Sequence, residues 1–463
     1  MKSTFNTSLL LKVPFLSIAI FYLFTLSACK KENEASTVTI GGKIINEYGL
    51  PLGGIKLYYT ENEFISTEID GTFRLSGLAK NTPITPTDTN YIFEPNTISV
   101  ASNSPLIVVN ARPKPNAIDL QIEAWFKAQQ VANGLMKSGE TGDFVSLYDN
   151  ALAAYVFMAY KDFESAANIF DFFKGRINSE LKASPGGFSQ FRNAVGTPNK
   201  HRWLGDNAWL LMAINTYKSL TNSSEYDELA SELETWIRSL QDTDGGINSG
   251  FDSNGDLLDY KVTEGNIDAF CAIPGYDDFH KKLLQFFEDD RWEMSDQNLV
   301  AWRENPQFLY ALDVHAWSYC CFKNYTTSAL TSADRFLCTK TVTLTGMPIT
   351  GYCFDEDQDV VWLEGTGQMA LAYRVAGNET EANYYLNETL KAYKKSEMHE
   401  NAGGFPYAAN QGTSYGGGPL WESADKEIAL SSAAWYILAR HGFNPFSLAQ
   451  KKAIPAEDMF WLQ

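Results

Sequence analysis

Gly205-Asp-Asn-Ala-Trp-Leu-Leu-Met-Ala-Ile214 opens on a glycine and an acid and then runs apolar. The design recurs in Tyr148-Asp-Asn-Ala-Leu-Ala-Ala-Tyr-Val-Phe157, Glu264-Gly-Asn-Ile-Asp-Ala-Phe-Cys-Ala-Ile273 and Leu312-Asp-Val-His-Ala-Trp-Ser-Tyr-Cys-Cys321. It returns in Glu364-Gly-Thr-Gly-Gln-Met-Ala-Leu-Ala-Tyr373 and Glu427-Ile-Ala-Leu-Ser-Ser-Ala-Ala-Trp-Tyr-Ile-Leu438. From Asp149 through Asp206, Glu264, Asp313 and Glu364 to Glu427 the steps are 57, 58, 49, 51 and 63 residues. Self-similarity at such a period marks an array of supersecondary units.

Between these apolar helices lie amphipathic ones, over roughly 117–138, 162–174, 224–241, 277–290, 328–338 and 379–396, with charged outer faces at the 3.6-residue period. Asn378 and Glu381 have the spacing of a capping box. Six apolar helices alternating with six amphipathic ones solve their burial problem as a closed double ring, apolar helices inside. A solenoid would need polar end caps, and the sequence has none. The expected fold over 117–463 is therefore an all-α (α/α)6 toroid, which resembles the six-hairpin glycosidase superfamily. That fold hosts several chemistries, so the resemblance implies a carbohydrate-processing framework without fixing the reaction.

Outward from the ring, the Pro-rich junction Ala111-Arg-Pro-Lys-Pro-Asn116 separates it from a segment of a different kind. Residues 38–112 contain the β-branched and aromatic runs Val38–Ile45, Ile55–Tyr59, Phe64–Ile69, Thr72–Leu75 and Leu106–Val109, with a hairpin turn expected at Asp70-Gly71. This predicts a small all-β sandwich, and its Gly-x-Pro-Leu-x-Gly turn and Tyr-x-Phe-x-Pro step resemble the carboxypeptidase-regulatory-like, prealbumin-like modules. The resemblance implies a spacer without a catalytic cluster.

Residues 1–28 carry Lys2 and Lys12, the apolar run Val13–Leu26 and then Ser27-Ala28 before Cys29. That order describes a secretory signal, and Cys29 resembles the lipobox of bacterial lipoproteins. The resemblance implies lipidation of Cys29, a tether over 29–37, and an outer-membrane lipoprotein facing the periplasm or the cell surface. Removing the two lysines takes the net charge from −19 to −21, which excludes a nucleic-acid binder that must displace phosphate counterions. The other cysteines, Cys271, Cys320, Cys321, Cys338 and Cys353, are odd in number and lack zinc spacing, so they read as small buried hydrophobes.

The inner helices' N-terminal ends and the loops before them would face one funnel, and acids and aromatics concentrate there. Cleaving a glycosidic bond needs one carboxyl to protonate the leaving oxygen and a second to activate water or attack the sugar. The catalytic candidates are Asp206, Glu264, Asp268, Asp313 and Glu364, with Glu264 and Asp268 one turn apart on a helix face. Asp149 reads as an acid favoured by the helix dipole, because its helix lacks flanking tryptophans. Trp203, Trp209, Trp362, Tyr407 and Trp421 would stack on sugar rings, and His315 joins them as a substrate contact.

The expected function is a membrane-anchored glycoside hydrolase acting on oligosaccharides or polysaccharide, with no cofactor and no metal. The loops Asp252-x-Asn254-x-Asp256 and Asp355-x-Asp357-x-Asp359 lack the glycine and glutamate of a helix–loop–helix calcium site. One alternative is a lyase or dehydratase on uronate-containing glycans, which takes its proton with a histidine or a tyrosine, His315 or His201 being the histidine candidates, and with Arg202 or Arg303 neutralising the carboxylate. Another is a surface glycan-binding protein without turnover.

Overall fold

A computed structural model describes residues 37–463. The expected signal segment, the lipidated Cys29 and the tether up to residue 36 lie outside the described residues. No described helix is long and apolar enough to cross a membrane.

The N-terminal unit has seven strands: β1 (Thr37–Asn46), β2 (Lys56–Tyr58), β3 (Phe64–Ser66), β4 (Thr72–Ala79), β5 (Thr85–Thr87), β6 (Tyr91–Glu94) and β7 (Ser104–Pro113). They form a four-stranded sheet, β4-β1-β7-β6, and a three-stranded sheet, β3-β2-β5. β1 is parallel to β7 and antiparallel to β4. One apolar core that includes Ile40, Ile44, Leu57, Phe73 and Val109 lies in this unit. Asp70-Gly71 does turn the chain, with Gly71 at φ 78°, but the strands it joins pair in different sheets rather than as a hairpin. β5 and β6 are additional to the expected strands.

The helical region alternates outer and inner helices. The outer ones are α1 (Ala117–Gln129), α3 (Phe163–Lys174), α5 (Asp227–Ser239), α7 (Asp278–Phe286), α9 (Ser328–Ser332) and α11 (Glu379–Leu390). The inner ones are α2 (Leu147–Ala159), α4 (Leu204–Thr221), α6 (Thr263–Ala272), α8 (Leu312–Cys321), α10 (Leu363–Val375) and α12 (Leu430–His441). The inner helices are buried almost all round, whereas α5 and α7 bury one stripe. Some outer helices stop short of the sequence expectation. α1 ends at Gln129, α11 at Leu390, and α9 is one turn followed by a 3-10 segment. After it an unanticipated hairpin, Leu337–Thr341 with Pro348–Tyr352, supplies the covering layer.

Inner helices contact one another in the order α2, α4, α6, α8, α10, α12 and back to α2. Backbone hydrogen bonds enforce this closure. The first residue of each inner helix donates its N–H to a carbonyl in the loop before the next inner helix: Leu147 to Gln190 (2.9 Å), Leu204 to Ser249 (2.9 Å), Thr263 to Ala301 (3.0 Å), Leu312 to Phe354 (3.1 Å), Leu363 to Tyr407 (3.2 Å) and Leu430 to Ser138 (2.9 Å). Each bond satisfies a helix N–H that has no intrahelical partner, and the sixth joins the last repeat to the first.

In five of the six inner helices, all but α12, the fourth position adds a side-chain clamp. Asn150, Asn207 and Asn266 donate to the carbonyls of Ser146, Trp203 and Val262, the residues just before their helices (2.8, 2.9 and 2.8 Å). Their Oδ1 atoms accept from Met136, Phe188 and Ile247 in the preceding turns (2.9, 2.8 and 2.8 Å). In the fourth and fifth repeats His315 and Thr366 reach the equivalent carbonyls of Ala311 and Trp362 (3.1 and 2.8 Å).

The β unit docks where the inner helices end. Asn46 donates to the carbonyls of His441 and Gly442 (3.2 and 3.0 Å), and Tyr48 stacks on Phe443 at 4.4 Å. Tyr91 donates to Glu379 (3.0 Å), which also pairs with the buried Arg374 (3.0 Å). The helices' N-terminal ends therefore face away from this unit. The five cysteines among the described residues are unbridged, and all but Cys338 are buried.

Candidate active site

A cavity of about 710 Å³ opens at the N-terminal ends of the inner helices, within the range of sites that engulf small ligands. Asp149, Asp206, Glu264, Asp313 and Glu364 line it from the second or third positions of α2, α4, α6, α8 and α10. Ser431 takes that place on α12, and Asp268 lies one turn deeper on α6. No Lys, Arg or His is among the lining residues.

Burial dominates the chemistry of these acids. It pushes Asp149, Asp206 and Glu364 up to about 7. Ser138 restrains Asp149, the Tyr148 N–H and Gln190 restrain Asp206, and the Tyr148 hydroxyl and Ser431 restrain Glu364. A rise from 3.8 to about 7 corresponds to roughly 4 kcal/mol favouring the protonated form. A helix N-terminus favours an anion by only about 1 kcal/mol. Capping therefore does not account for these residues.

Glu264 and Asp313 divide most clearly. Burial, then the charge of Asp313, pushes Glu264 up to about 8, and it has no hydrogen-bond partner among the described residues. Asp313 rises only to about 6, because the Tyr415 hydroxyl (2.8 Å) and the Val314 N–H (2.8 Å) stabilise its anion. Burial, and next the charge of Glu264, holds Asp268 well above the carboxylate range.

Trp362 and Tyr407 form one wall, with Phe354 stacked behind Trp362 at 4.4 Å and Trp421 against Tyr407 at 4.8 Å. Trp421 is 53% exposed and stands at the mouth. Trp203 lines the opposite side, and Trp209 lies deeper. Tyr148 donates to Glu364 (2.7 Å) and accepts from the Trp435 ring N–H (2.8 Å).

The structure corrects three sequence readings. His315 is absent from the cavity lining: its place in the helix is the clamp position, its Nδ1 reaches the Ala311 carbonyl, and its ring packs on Phe336 in the outer layer. Burial lowers it to about 4, the wrong direction for a neutral-pH base. His201, Arg202 and Arg303 are also outside the lining. His201 bonds Gln190, while the guanidinium groups of Arg202 and Arg303 are spent on backbone carbonyls and Ser189. Asp149 lines the cavity, and the Asp-Asn pair it shares with Asp206-Asn207 was the available signal. Tyr415 also lines the site, and Tyr148, Gln190 and Trp317 complete it without having been singled out as ligand contacts.

Solved structures share this architecture. An alpha-amylase from Clostridium perfringens superimposes with a TM-score of 0.52 at 11% identity, over 72% of this chain and 99% of its own. A cellobiose 2-epimerase from Spirochaeta thermophila gives 0.51 at 13% identity, over 72% and 95%. A glycosidase variant gives 0.50 at 12%, over 70% and 95%. The shared fold is an (α/α)6 toroid. No family model matches the sequence, and no curated protein matches it. At these identities the likeness is one of fold.

Proposed function

We propose that the protein is a carbohydrate-active enzyme that hydrolyses glycosidic bonds in a neutral glycan. The observation that carries this is the pair Glu264 and Asp313. They line one cavity from the same position of neighbouring inner helices, where Asp313 accepts from the Tyr415 hydroxyl and the Val314 N–H while Glu264 has no hydrogen-bond partner among the described residues, and the aromatic-walled lining has no basic side chain. Such a pair assigns its own roles. Glu264 holds its proton at neutral pH and donates it to the leaving oxygen. Asp313, ionised and steadied by Tyr415, activates water or attacks the anomeric carbon. Asp149, Asp206 and Glu364 orient sugar hydroxyls, and the tryptophan and tyrosine faces stack on ring C–H groups. The glycosidase and alpha-amylase that share the fold support the substrate class.

Elimination at a uronate is disfavoured. It needs a cation to neutralise the carboxylate, and no lysine, arginine or histidine is among the lining residues. A panel of neutral and uronate-containing glycans, assayed for new reducing ends and for ultraviolet absorbance, separates these reactions. We expect reducing ends without absorbance, and Glu264→Gln and Asp313→Asn each to lower turnover by about 10²–10⁴-fold. Full activity in both variants would overturn the assignment, and binding without turnover would leave a glycan-binding protein. We further propose export as a lipoprotein anchored through Cys29, which rests on the sequence around that residue. Fatty-acid labelling that survives Cys29→Ala would refute it.

A further inference from the structure

The sixth position of each inner helix lies one turn below the ring of acids. Around the ring these residues are Leu152, Trp209, Asp268, Trp317, Gln368 and Trp435, so tryptophans from α4, α8 and α12 alternate with other side chains. The three indoles meet across the bore. Trp209 lies 5.5 Å from Trp317 and 5.8 Å from Trp435, and Trp317 stacks on Trp435 at 6.5 Å. Phe446, from the chain after α12, packs against Trp209 and Trp317 at 5.3 and 5.7 Å. Tyr155 then links Trp209 to Phe443, on which Tyr48 of the β unit stacks. Packed aromatic side chains thus run from the floor of the cavity to the β unit.

This floor contains polar atoms with nothing to bond. The Trp209 and Trp317 ring N–H groups and Asp268 Oδ1 are buried and have no hydrogen-bond partner among the described residues, and all three residues line the cavity. Gln368 Oε1, at the same level, is also unpartnered. Buried polar groups are normally paired, and each orphan costs about 1–3 kcal/mol. Two indole donors and a carboxyl, on residues that line this closed end, supply groups complementary to the hydroxyls of a sugar ring.

We propose that the cavity is a dead-end pocket for the terminal unit of a neutral glycan chain, and that Asp268, Trp209 and Trp317 read that unit's free hydroxyls. The proposal rests on the hydrolytic reading above and deepens it. An internal unit carries a glycosidic bond at each end, and a chain that enters along the bore finds no exit for its second end through this packed floor. The trailing chain leaves through the mouth, past Trp421 and the equally exposed Phe144. Asp268 is then a specificity residue below the bond that is cut, in place of the catalytic role its spacing from Glu264 suggested.

The test uses whichever glycan the panel shows to be cleaved. It compares the linear chain, the same chain with its terminal hydroxyls blocked, and a cyclic form of the same linkage. We expect the linear chain to release one small product from the first turnovers, with the blocked and cyclic forms resistant. Mixed internal fragments, or cyclic and linear forms cut at comparable rates, would overturn the proposal while leaving hydrolysis standing. Failure to cleave any glycan would overturn the hydrolytic reading and this inference with it. Asp268→Asn, which keeps the shape of the floor, and Trp317→Phe, which removes the indole N–H, should raise KM about 10- to 100-fold while kcat falls far less. A collapse of kcat in Asp268→Asn at unchanged KM would make it a catalytic residue and refute its reading role.

Discussion

At the residue scale the division of labour between Glu264 and Asp313 has a pH signature. Activity requires Asp313 ionised and Glu264 protonated, so kcat/KM should rise as pH climbs to about 6, level off, and fall above about pH 8. Because the two groups interact, the limbs belong to the pair. A profile that stays flat from pH 5 to about 9 would remove both groups from the proton transfers. His315 gives the opposite kind of test. It occupies the position held by Asn150, Asn207 and Asn266 and makes the same bond to the residue preceding its helix. His315→Asn should therefore keep full turnover, while His315→Ala should lower the unfolding free energy by about 1–3 kcal/mol. A loss of turnover in a well-folded Asn variant would return this histidine to the chemistry. In the bare sequence Asp313 and His315 look like one cluster, because they are two residues apart. On a helix that spacing turns them to opposite sides, and alignment with the other repeats shows which is which.

At the element scale, the loop that carries Tyr415 illustrates what the sequence did and did not disclose. The alternating acids Asp355, Asp357 and Asp359 look like cation ligands. In the fold Asp357 and Asp359 accept from the Thr413 hydroxyl (3.0 Å each), Asp359 also takes the Thr413 N–H (2.8 Å), and Asp355 takes the Gly416 N–H (3.2 Å). They fasten a glycine-rich strap, and the strap places the Tyr415 hydroxyl on Asp313. Gly416 is left-handed (φ 71°), and an added Cβ would stand 2.6 Å from the Phe308 ring. Gly416→Val should therefore shift the strap. Tyr415→Phe isolates the hydroxyl itself. Its hydrogen bond lowers the Asp313 pKa, so its loss should move the acidic limb of the pH profile to higher pH and leave the alkaline limb in place. An acidic limb that stays put or moves down would show that Tyr415 does not tune Asp313. The helices were legible because each carries its own period and opening acid. The strap was not, since its partners are about 60 residues away in sequence and nothing local announces the pairing.

At the scale of the whole molecule, the number of repeats was readable, and ring closure followed from counting faces that need burial. The tryptophan floor was hidden. Trp209 looks like a lone stacking residue, and Trp317 and Trp435 like unrelated core residues, until the helices are brought into register. The cluster of acids above that floor has a consequence for the stability of the entire chain. A buried carboxyl whose proton affinity is raised by folding binds more protons folded than unfolded. Its contribution is complete below the unfolded value and is lost as pH rises through the folded one. Asp149, Asp206 and Glu364 move from 3.8 or 4.5 to about 7, and Glu264 from 4.5 to about 8. Ion-paired acids act the other way. In Glu180 burial raises the pKa, but the ion pair with Arg192 (2.8 Å) and the hydrogen bonds from Ser189 together outweigh it and depress the value, so its contribution disappears as pH falls below about 4.5. The unliganded protein should thus be most stable in mildly acidic solution, and its thermal midpoint should fall as pH rises from about 5 to about 8. Glu264→Gln, which removes a titrating group from the buried cluster, should match the parent in midpoint near pH 4 and exceed it near pH 8. A parent midpoint that climbs across this interval, or a variant indistinguishable from it at the alkaline end, would mean that folding does not raise the proton affinity of these carboxyls. The proton assignment to Glu264 would then fail.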